Sequence, residues 1–231
     1  MLYLLCGAEP TNAHLALGKN MDKSKIDYSL YLCTDRSLMT APTLEQAVND
    51  AIKGGCTVVQ LREKHATSRE FYQLALSLKR ITGYYGIPLI INDRLDIAAA
   101  VNAEGVHLGQ KDLPADIARA VLGEEKIIGV SANNLQAAIN AELDGADYIG
   151  VGAVFQTSTK TDTKPVTIDK LKEIRSAVKI PMVAIGGIKR SNISQLNGTG
   201  INGVAVVSAV IGSKNITAAA RELKALFNPF V

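Results

Sequence analysis

The chain has 231 residues, of which 47% are hydrophobic and 20% charged, enough to bury a sizeable core in one or two domains. Its net charge is only +3, and its basic residues are scattered without interleaved aromatic residues, which argues against a nucleic-acid-binding protein. No apolar run approaches the roughly 20 residues that a membrane-spanning helix needs.

The N-terminal segment differs from the rest of the chain. Its apolar run is about six residues long and follows no positive charge, unlike a secretory signal. We expect residues 1–27 to be a flexible N-terminal extension and residues 28–231 to form one domain. The three cysteines, Cys6, Cys33 and Cys56, have neither CxxC nor metal-site spacing. They predict reduced thiols and a cytoplasmic protein.

From Ser29 onward one pattern recurs: a short apolar run, a polar or glycine-containing loop, and a segment with helical periodicity. Eight strands are predicted, at residues 29–34, 57–61, 88–92, 105–109, 126–131, 147–152, 181–187 and 203–208. Continuous apolar strands that alternate with amphipathic helices indicate a parallel sheet covered by helices. Eight such units predict a single (β/α)8 TIM barrel. An open doubly wound sheet is the alternative, but no GxGxxG motif follows the first strand.

Helix starts are predicted from capping residues. Thr43 and Gln46 have capping-box spacing, and Gly54 ends that helix. Further helices are predicted to begin at Ser68, after Asn134, after Thr167, at Ser191 for a short one, and after Asn215 or Thr217 for the last.

The second predicted strand carries an unusual face. Side chains alternate along a strand, so Val58, Gln60, Arg62 and Lys64 share one side. In a barrel the active site lies at the carboxyl ends of the strands. Polar residues follow those ends throughout the chain: Gln60, Arg62, Lys64, Asn92, Asp93, Gln110, Asp112, Ser131, Thr157, Ser158, Thr159, Lys160, Gly186, Gly187, Val207 and Ser208.

Each group also has an ordinary structural explanation. Arg62 and Lys64 could be solvated charges beside Glu63, and Asp93 or Asp112 could cap the next helix or turn. The remaining polar loops and glycine pairs could be simple turns. His107 is best explained as a hydrogen-bonded core imidazole or a support for other residues, and His14 and His65 carry no signal.

A functional explanation accounts for the groups together. Three cations at one mouth, Arg62, Lys64 and Lys160, would repel one another without a multiply charged anion such as pyrophosphate. Asp93 and Asp112 supply the carboxylate oxygens that suit Mg2+. The glycine pair Gly186–Gly187 and the segment Val207–Ser208 suggest a second phosphate site built from backbone amides.

These motifs resemble the thiamine-phosphate synthase family. The resemblance covers about residues 28–226 in order: QLREK (60–64), ND (92–93), GVHLGQKD (105–112), GVSA (129–132), DYIGVGAVFQTSTK (147–160), AIGGI (184–188) and VVSA (206–209). It implies a transferase that joins a pyrimidine diphosphate to a thiazole phosphate and releases pyrophosphate, through departure of pyrophosphate before attack by the thiazole nitrogen.

The resemblance also implies roles for the site residues. The pyrimidine diphosphate would be held by Gln60, Leu61, Arg62, Glu63, Lys64, Asn92, Ser131 and Lys160, with Arg62, Lys64, Ser131 and Lys160 taking part in catalysis. The thiazole phosphate would be held by Thr157, Ser158, Thr159, Gly187, Val207 and Ser208. Asp93 and Asp112 would bind Mg2+ as the cofactor.

Two other functions remain open at this point. A thiazole tautomerase of the same fold would bind thiazole phosphate without needing the diphosphate-binding residues. A non-catalytic phosphate-binding barrel would not need the carboxylates. The partners expected are small-molecule substrates, with no nucleic acid and no membrane, and the oligomeric state is left open, a homo-oligomer included.

Lys160→Ala provides a test of the diphosphate assignment. Removing one donor that stabilises developing charge typically lowers turnover by about 10²–10³. We expect that loss with normal folding, measured by steady-state kinetics and circular dichroism. Unchanged turnover would remove Lys160 from the site.

Overall fold

A computed structural model of the chain describes residues 21–157 and 165–228. Eight parallel strands form a closed barrel in chain order, and β8 pairs with β1 to close it. The strands are β1 Leu30–Cys33, β2 Val58–Leu61, β3 Leu89–Asn92, β4 Gly105–Leu108, β5 Ile127–Ala132, β6 Tyr148–Gly152, β7 Met182–Ile185 and β8 Gly203–Val206. The predicted (β/α)8 barrel is confirmed.

Eight α-helices lie within the described residues. They are α1 Leu44–Lys53, α2 Ser68–Tyr85, α3 Leu95–Ala100, α4 Ala115–Leu122, α5 Leu135–Leu143, α6 Ile168–Ala177, α7 Ser208–Ile211 and α8 Ile216–Leu226. The predicted caps are confirmed where a side-chain oxygen accepts a backbone N–H of the first turn, at Thr43, Asn134 and Thr167. The last helix is capped by Asn215, which was one of the two alternatives.

Three details differ from the sequence prediction. A reciprocal capping box forms at Thr67 and Glu70, where Glu70 also accepts the Thr67 N–H. The short helix after β7 is a 3-10 helix, Ile193–Leu196, that follows Asn192 instead of Ser191. Serine and asparagine in this segment compete for backbone hydrogen bonds, which disfavours a longer helix. β8 ends at Val206, and Ser208 instead begins the unpredicted helix α7.

Side-chain alternation divides the core into two parts. The barrel interior holds Tyr28, Tyr31, Val58, Ile90, Ile127, Tyr148, Val183 and Ala205. The larger core includes the alternate strand residues, such as Val59 and Leu61, together with helix residues such as Phe71. Residues facing inward near the strands' carboxyl ends are therefore the ones that can reach the barrel mouth.

Residues 21–27 contact the opposite end of the barrel. Lys23 Nζ lies 2.9 Å from Asp147 Oδ1 and donates to the Glu124 carbonyl at 2.7 Å. Both partners precede strands, β6 and β5. Among residues 21–157 and 165–228, no helix combines the length and apolar character that crossing a membrane would require.

Gly203 and Gly83 give a matched test of barrel closure. A Cβ at Gly203, the first residue of β8, would lie 1.8 Å from the Tyr28 carbonyl oxygen, whereas a Cβ at Gly83 in α2 would meet nothing within 4 Å. We expect Gly203→Ala to destabilise the protein by about 1–3 kcal/mol, as overpacking does. Gly83→Ala should stabilise it by up to about 1 kcal/mol through helix propensity. Chemical denaturation measures both, and equal effects would contradict the packing at the β8–β1 pairing.

Candidate active site

The side chains of β2 account for the polar face seen in the sequence. Val58 and Gln60 point into the barrel, while Val59 and Leu61 pack in the larger core. Gln60 is 6% exposed. Its Nε2 donates to Tyr31 Oη at 2.8 Å, and its Oε1 accepts from Cys33 Sγ at 3.3 Å. The same face continues past the end of β2, which brings Arg62 and Lys64 to the mouth.

Five charged residues from four successive loops form what we call the mouth cluster: Asp35, Arg62, Lys64, Asp93 and Asp112. Arg62 Nη1 lies 3.6 Å from Asp35 Oδ2, and Lys64 Nζ forms an ion pair with Asp93 Oδ2. Burial raises the pKa of the Cys33 thiol to about 12, and Arg62, Asp35, Lys64 and Asp93 each act on that thiol through their charges. Four members of the cluster are therefore close to the end of β1.

Asp112, which follows β4, is the fifth member. Burial raises the pKa of its carboxyl group above the ordinary value, and the charge of Asp93 and a hydrogen bond with it raise that pKa further. The Gly109 N–H, which donates to Asp112 Oδ2 at 2.6 Å, and the charge of Lys64 lower it. The two carboxyl groups therefore interact directly, as the sequence hypothesis of a shared metal site requires.

The backbone holds Asp93 at this position. Its φ of 63° lies in the left-handed region, which asparagine and aspartate adopt more readily than most residues. Its N–H donates to the His107 carbonyl at 2.9 Å, and Arg94 occupies the N-cap position of α3 without a side-chain capping bond. Asp93 therefore projects to the mouth cluster and is not the N-cap residue of α3.

Two further predicted site residues, Asn92 and Ser131, line the barrel around this cluster. Asn92 ends β3 and is 9% exposed. Ser131 lies in β5, where its Oγ is 2.9 Å from His107 Nε2 and its carbonyl accepts from Gln110 Nε2 at 2.6 Å. His107 Nδ1 is 2.9 Å from Tyr148 Oη, so the prediction of a hydrogen-bonded core imidazole is confirmed.

The loops after β7 and β8 form a second part of the mouth. Gly187 has a φ of 64°, and a Cβ there would lie 2.4 Å from the Gln156 carbonyl oxygen. Only glycine fits this position. Asn192 Nδ2 donates to the Gly187 carbonyl at 2.9 Å and holds the turn. Val207 precedes α7 and Ser208 begins it, so the first backbone N–H groups of α7 have no partner within the helix.

Some predicted residues have side chains occupied elsewhere. Leu61 is fully buried in the larger core, and Glu63 forms an ion pair with Arg36 at 2.7 Å. Only the backbone atoms of Leu61 and Glu63 would then be able to contact a ligand at the mouth. Thr157 is the last residue described before the gap at 158–164, and Ser158, Thr159 and Lys160 lie outside the described residues.

Sequence reasoning missed Asp35, Tyr31 and Tyr148. Asp35 stands two residues after β1, and its signal was the TD pair at a strand end, which parallels ND after β3. The tyrosines were read only as apolar strand residues. Their hydroxyl groups meet across the barrel at 2.8 Å, a contact between residues far apart in sequence.

The donor set at the mouth fits a magnesium ion. Among the residues described, no group of three or more histidine, cysteine or acidic side chains is arranged to hold a metal by itself. Asp93 and Asp112 provide two adjacent carboxylates. Mg2+ is commonly bound by one or two carboxylates together with substrate phosphates and water, so the pair suits this ion better than zinc.

Comparisons with known proteins agree on one family. The thiamine monophosphate synthase family profile matches residues 30–210. Thiamine-phosphate synthase of Ruminiclostridium cellulolyticum is 59% identical over 205 residues, covering 89% of this chain and 98% of the relative. That of Clostridium botulinum is 56% identical over 206 residues, covering 89% and 97%. The solved thiamine phosphate pyrophosphorylase from Pyrococcus furiosus is similar with a TM-score of 0.81 and 39% identity, covering 87% of this chain and 96% of that one.

The coupling of the two carboxyl groups can be measured directly. Because Asp93 raises the pKa of Asp112, Asp93→Asn should lower the pKa of Asp112. The part of the increase in pKa that burial causes should remain. Asparagine also tolerates the positive φ at residue 93. Carbon-13 NMR titration of the metal-free protein gives the value, with Asp116→Asn on α4 as the control. An unchanged or higher pKa would contradict the arrangement.

Proposed function

The chain belongs to the thiamine monophosphate synthase family, and we propose that it joins 4-amino-2-methyl-5-(diphosphooxymethyl)pyrimidine to 4-methyl-5-(2-phosphoethyl)thiazole. The products are thiamine phosphate and pyrophosphate. The observation that carries this proposal is the mouth cluster, which combines cations for a diphosphate with paired carboxylates for a metal ion.

The charge balance of the mouth cluster supports a diphosphate bound together with a metal. Its two cations, Arg62 and Lys64, face three carboxylates, those of Asp35, Asp93 and Asp112. If Lys64 turns from Asp93 to a phosphate oxygen, the carboxylates of Asp93 and Asp112 lose a compensating charge. A divalent cation restores it, so the binding of the anion and the binding of the metal favour one another. Mg2+, when bound, supplies positive charge to the departing phosphate oxygens.

Arg62, Lys64 and Lys160 bind the diphosphate and stabilise the negative charge that develops on its leaving oxygen. Pyrophosphate departs first, and the electron-rich aminopyrimidine ring stabilises the cation left at the methylene carbon. The thiazole nitrogen then attacks with a lone pair that is already free, so no general base has to remove a proton from it. Gln60, Asn92 and Ser131 hold the pyrimidine substrate in the barrel mouth.

The thiazole phosphate binds at the loops after β7 and β8. Gly187 permits close approach to the backbone, and the segment Val207–Ser208 supplies N–H donors. Thr157, Ser158 and Thr159 complete this site. The partners of the protein are thus two small phosphorylated molecules. The free, buried thiols of Cys33 and Cys56 support a cytoplasmic location.

The tautomerase alternative is less favoured. Such an enzyme has no use for the diphosphate-binding set of Arg62, Lys64, Asp93, Asp112 and Lys160, all present in this chain. The curated relatives above are thiamine-phosphate synthases at 59% and 56% identity. A purely regulatory barrel would likewise not need the paired carboxylates.

The activity is tested by incubating both substrates with the purified chain and Mg2+. We expect thiamine phosphate and pyrophosphate in equal amounts, detected by chromatography, and loss of both when the metal is chelated. Conversion of a thiazole phosphate tautomer without release of pyrophosphate would favour the tautomerase instead.

Arg62→Ala tests the role of the mouth cluster. Removing this cation should lower kcat by about 10²–10³ because charge on the leaving diphosphate loses a fixed donor. Arg80→Ala, at an exposed position of α2, is the matched control and should leave kcat unchanged. Equal activity of the two variants would remove Arg62 from the mechanism.

A further inference from the structure

A chain of hydrogen bonds crosses the barrel interior beneath the mouth. Gln60 Nε2 donates to Tyr31 Oη at 2.8 Å, and Tyr31 Oη lies 2.8 Å from Tyr148 Oη. Tyr148 Oη lies 2.9 Å from His107 Nδ1, and His107 Nε2 lies 2.9 Å from Ser131 Oγ. We call these five residues the interior relay. They belong to β2, β1, β6, β4 and β5, and the two ends are residues assigned to the pyrimidine substrate.

Gln60, Tyr31 and Tyr148 of the relay are buried, so the hydrogen of each tyrosine hydroxyl group needs an acceptor within the protein. Tyr31 and Tyr148 are 2% and 1% exposed. The Tyr148 ring also packs against Tyr28, with ring centroids 4.9 Å apart, which fixes its position across the barrel. A buried donor left without an acceptor costs about 1–3 kcal/mol. The need to bond both tyrosine hydroxyl groups therefore decides how the protons are arranged along this series of hydrogen bonds.

The direction of donation follows from Gln60. The Cys33 thiol donates to Gln60 Oε1, so the amide nitrogen faces Tyr31 and donates to it. Tyr31 then donates its hydroxyl hydrogen to Tyr148 Oη, and Tyr148 donates its own to His107 Nδ1. A neutral imidazole that accepts at Nδ1 carries its proton on Nε2 and donates to Ser131 Oγ. If the hydrogen bonds ran in the reverse direction, the Tyr31 hydroxyl hydrogen would face Gln60 Nε2, which is itself a donor and cannot accept it.

We propose that the interior relay fixes His107 as the Nε2–H tautomer and thereby turns the Ser131 hydroxyl hydrogen toward the barrel mouth, making Ser131 a hydrogen-bond donor to an acceptor atom of the pyrimidine substrate. Tyr148 and His107 are positioning residues that act through Ser131. The substrate part of this inference rests on the proposed function, whereas the proton arrangement does not.

The tautomer of His107 tests the proton arrangement in the full chain without any substrate. Nitrogen-15 NMR of the neutral imidazole should show a protonated Nε2 and an unprotonated Nδ1, with the signal assigned by its loss in His107→Gln. Tyr31→Phe should keep this tautomer, because Tyr148 can still donate to Nδ1. Tyr148→Phe should give a mixture of tautomers. An Nδ1–H tautomer in the unmodified chain would overturn the proposal.

A double-mutant cycle tests whether Tyr148 acts through Ser131. Tyr148→Phe should lower kcat/KM for the pyrimidine diphosphate by about tenfold, the effect of one net hydrogen bond, and leave KM for the thiazole phosphate unchanged. Adding Tyr148→Phe to Ser131→Ala should cause no further loss, since coupled residues are not additive. Independent, multiplying losses would overturn the positioning role.

Controls separate this proposal from the proposed function and from general destabilisation. Tyr85→Phe removes a hydroxyl group that bonds Asn49 at 2.9 Å, outside the barrel, and should leave kcat/KM unchanged. Thermal unfolding of each variant shows whether it is folded at the assay temperature. If the unmodified chain fails to join the two substrates, the proposed function fails, while the NMR result still decides the tautomer.

Discussion

Closure of the barrel through the pairing of β8 with β1 is the constraint on which the site depends. The parallel pairings of β1, β2, β3 and β4 place the loops after these strands side by side, and closure brings the loops after β7 and β8 to the same mouth. Charges that are distant in the sequence therefore become neighbours. Arg62 meets Asp35, Lys64 meets Asp93, and Asp93 meets Asp112. In an open sheet the loop after β1 and the loop after β8 would lie apart, and the two halves of the mouth would not face one another.

We propose that the charges at the mouth receive a ligand that carries its own countercharge. Each cation of the mouth cluster pairs with a carboxylate, and Asp93 raises the pKa of Asp112 in addition to the effect of burial. Under the proposed function, a metal–diphosphate pair balances these charges better than either component alone. The interior relay adds neutral polar groups directly beneath the charges. A polar barrel interior is costly unless its buried groups are bonded, and the buried hydroxyl groups of Tyr31 and Tyr148 meet that condition.

The sequence predicts the architecture well because strand and helix patterns are local. All eight strands and the capping residues Thr43, Asn134 and Thr167 follow from hydrophobic periodicity and cap chemistry. Asp35 and the tyrosine hydroxyl groups of Tyr31 and Tyr148 could not be assigned in this way. Tyrosine fits an apolar strand pattern, and only the barrel's three-dimensional closure shows that two such side chains share a hydrogen bond. The ion pair that holds Glu63 to Arg36 likewise depends on loop positions that no local pattern specifies.

The most direct test of the mouth cluster is a crystal structure of the chain with Mg2+ and pyrophosphate bound. The account predicts one pyrophosphate in contact with Arg62, Lys64 and Lys160, and one Mg2+ held by Asp93 and Asp112 beside it. Pyrophosphate bound away from Arg62 and Lys64, or a metal ion that contacts neither carboxylate, would contradict it.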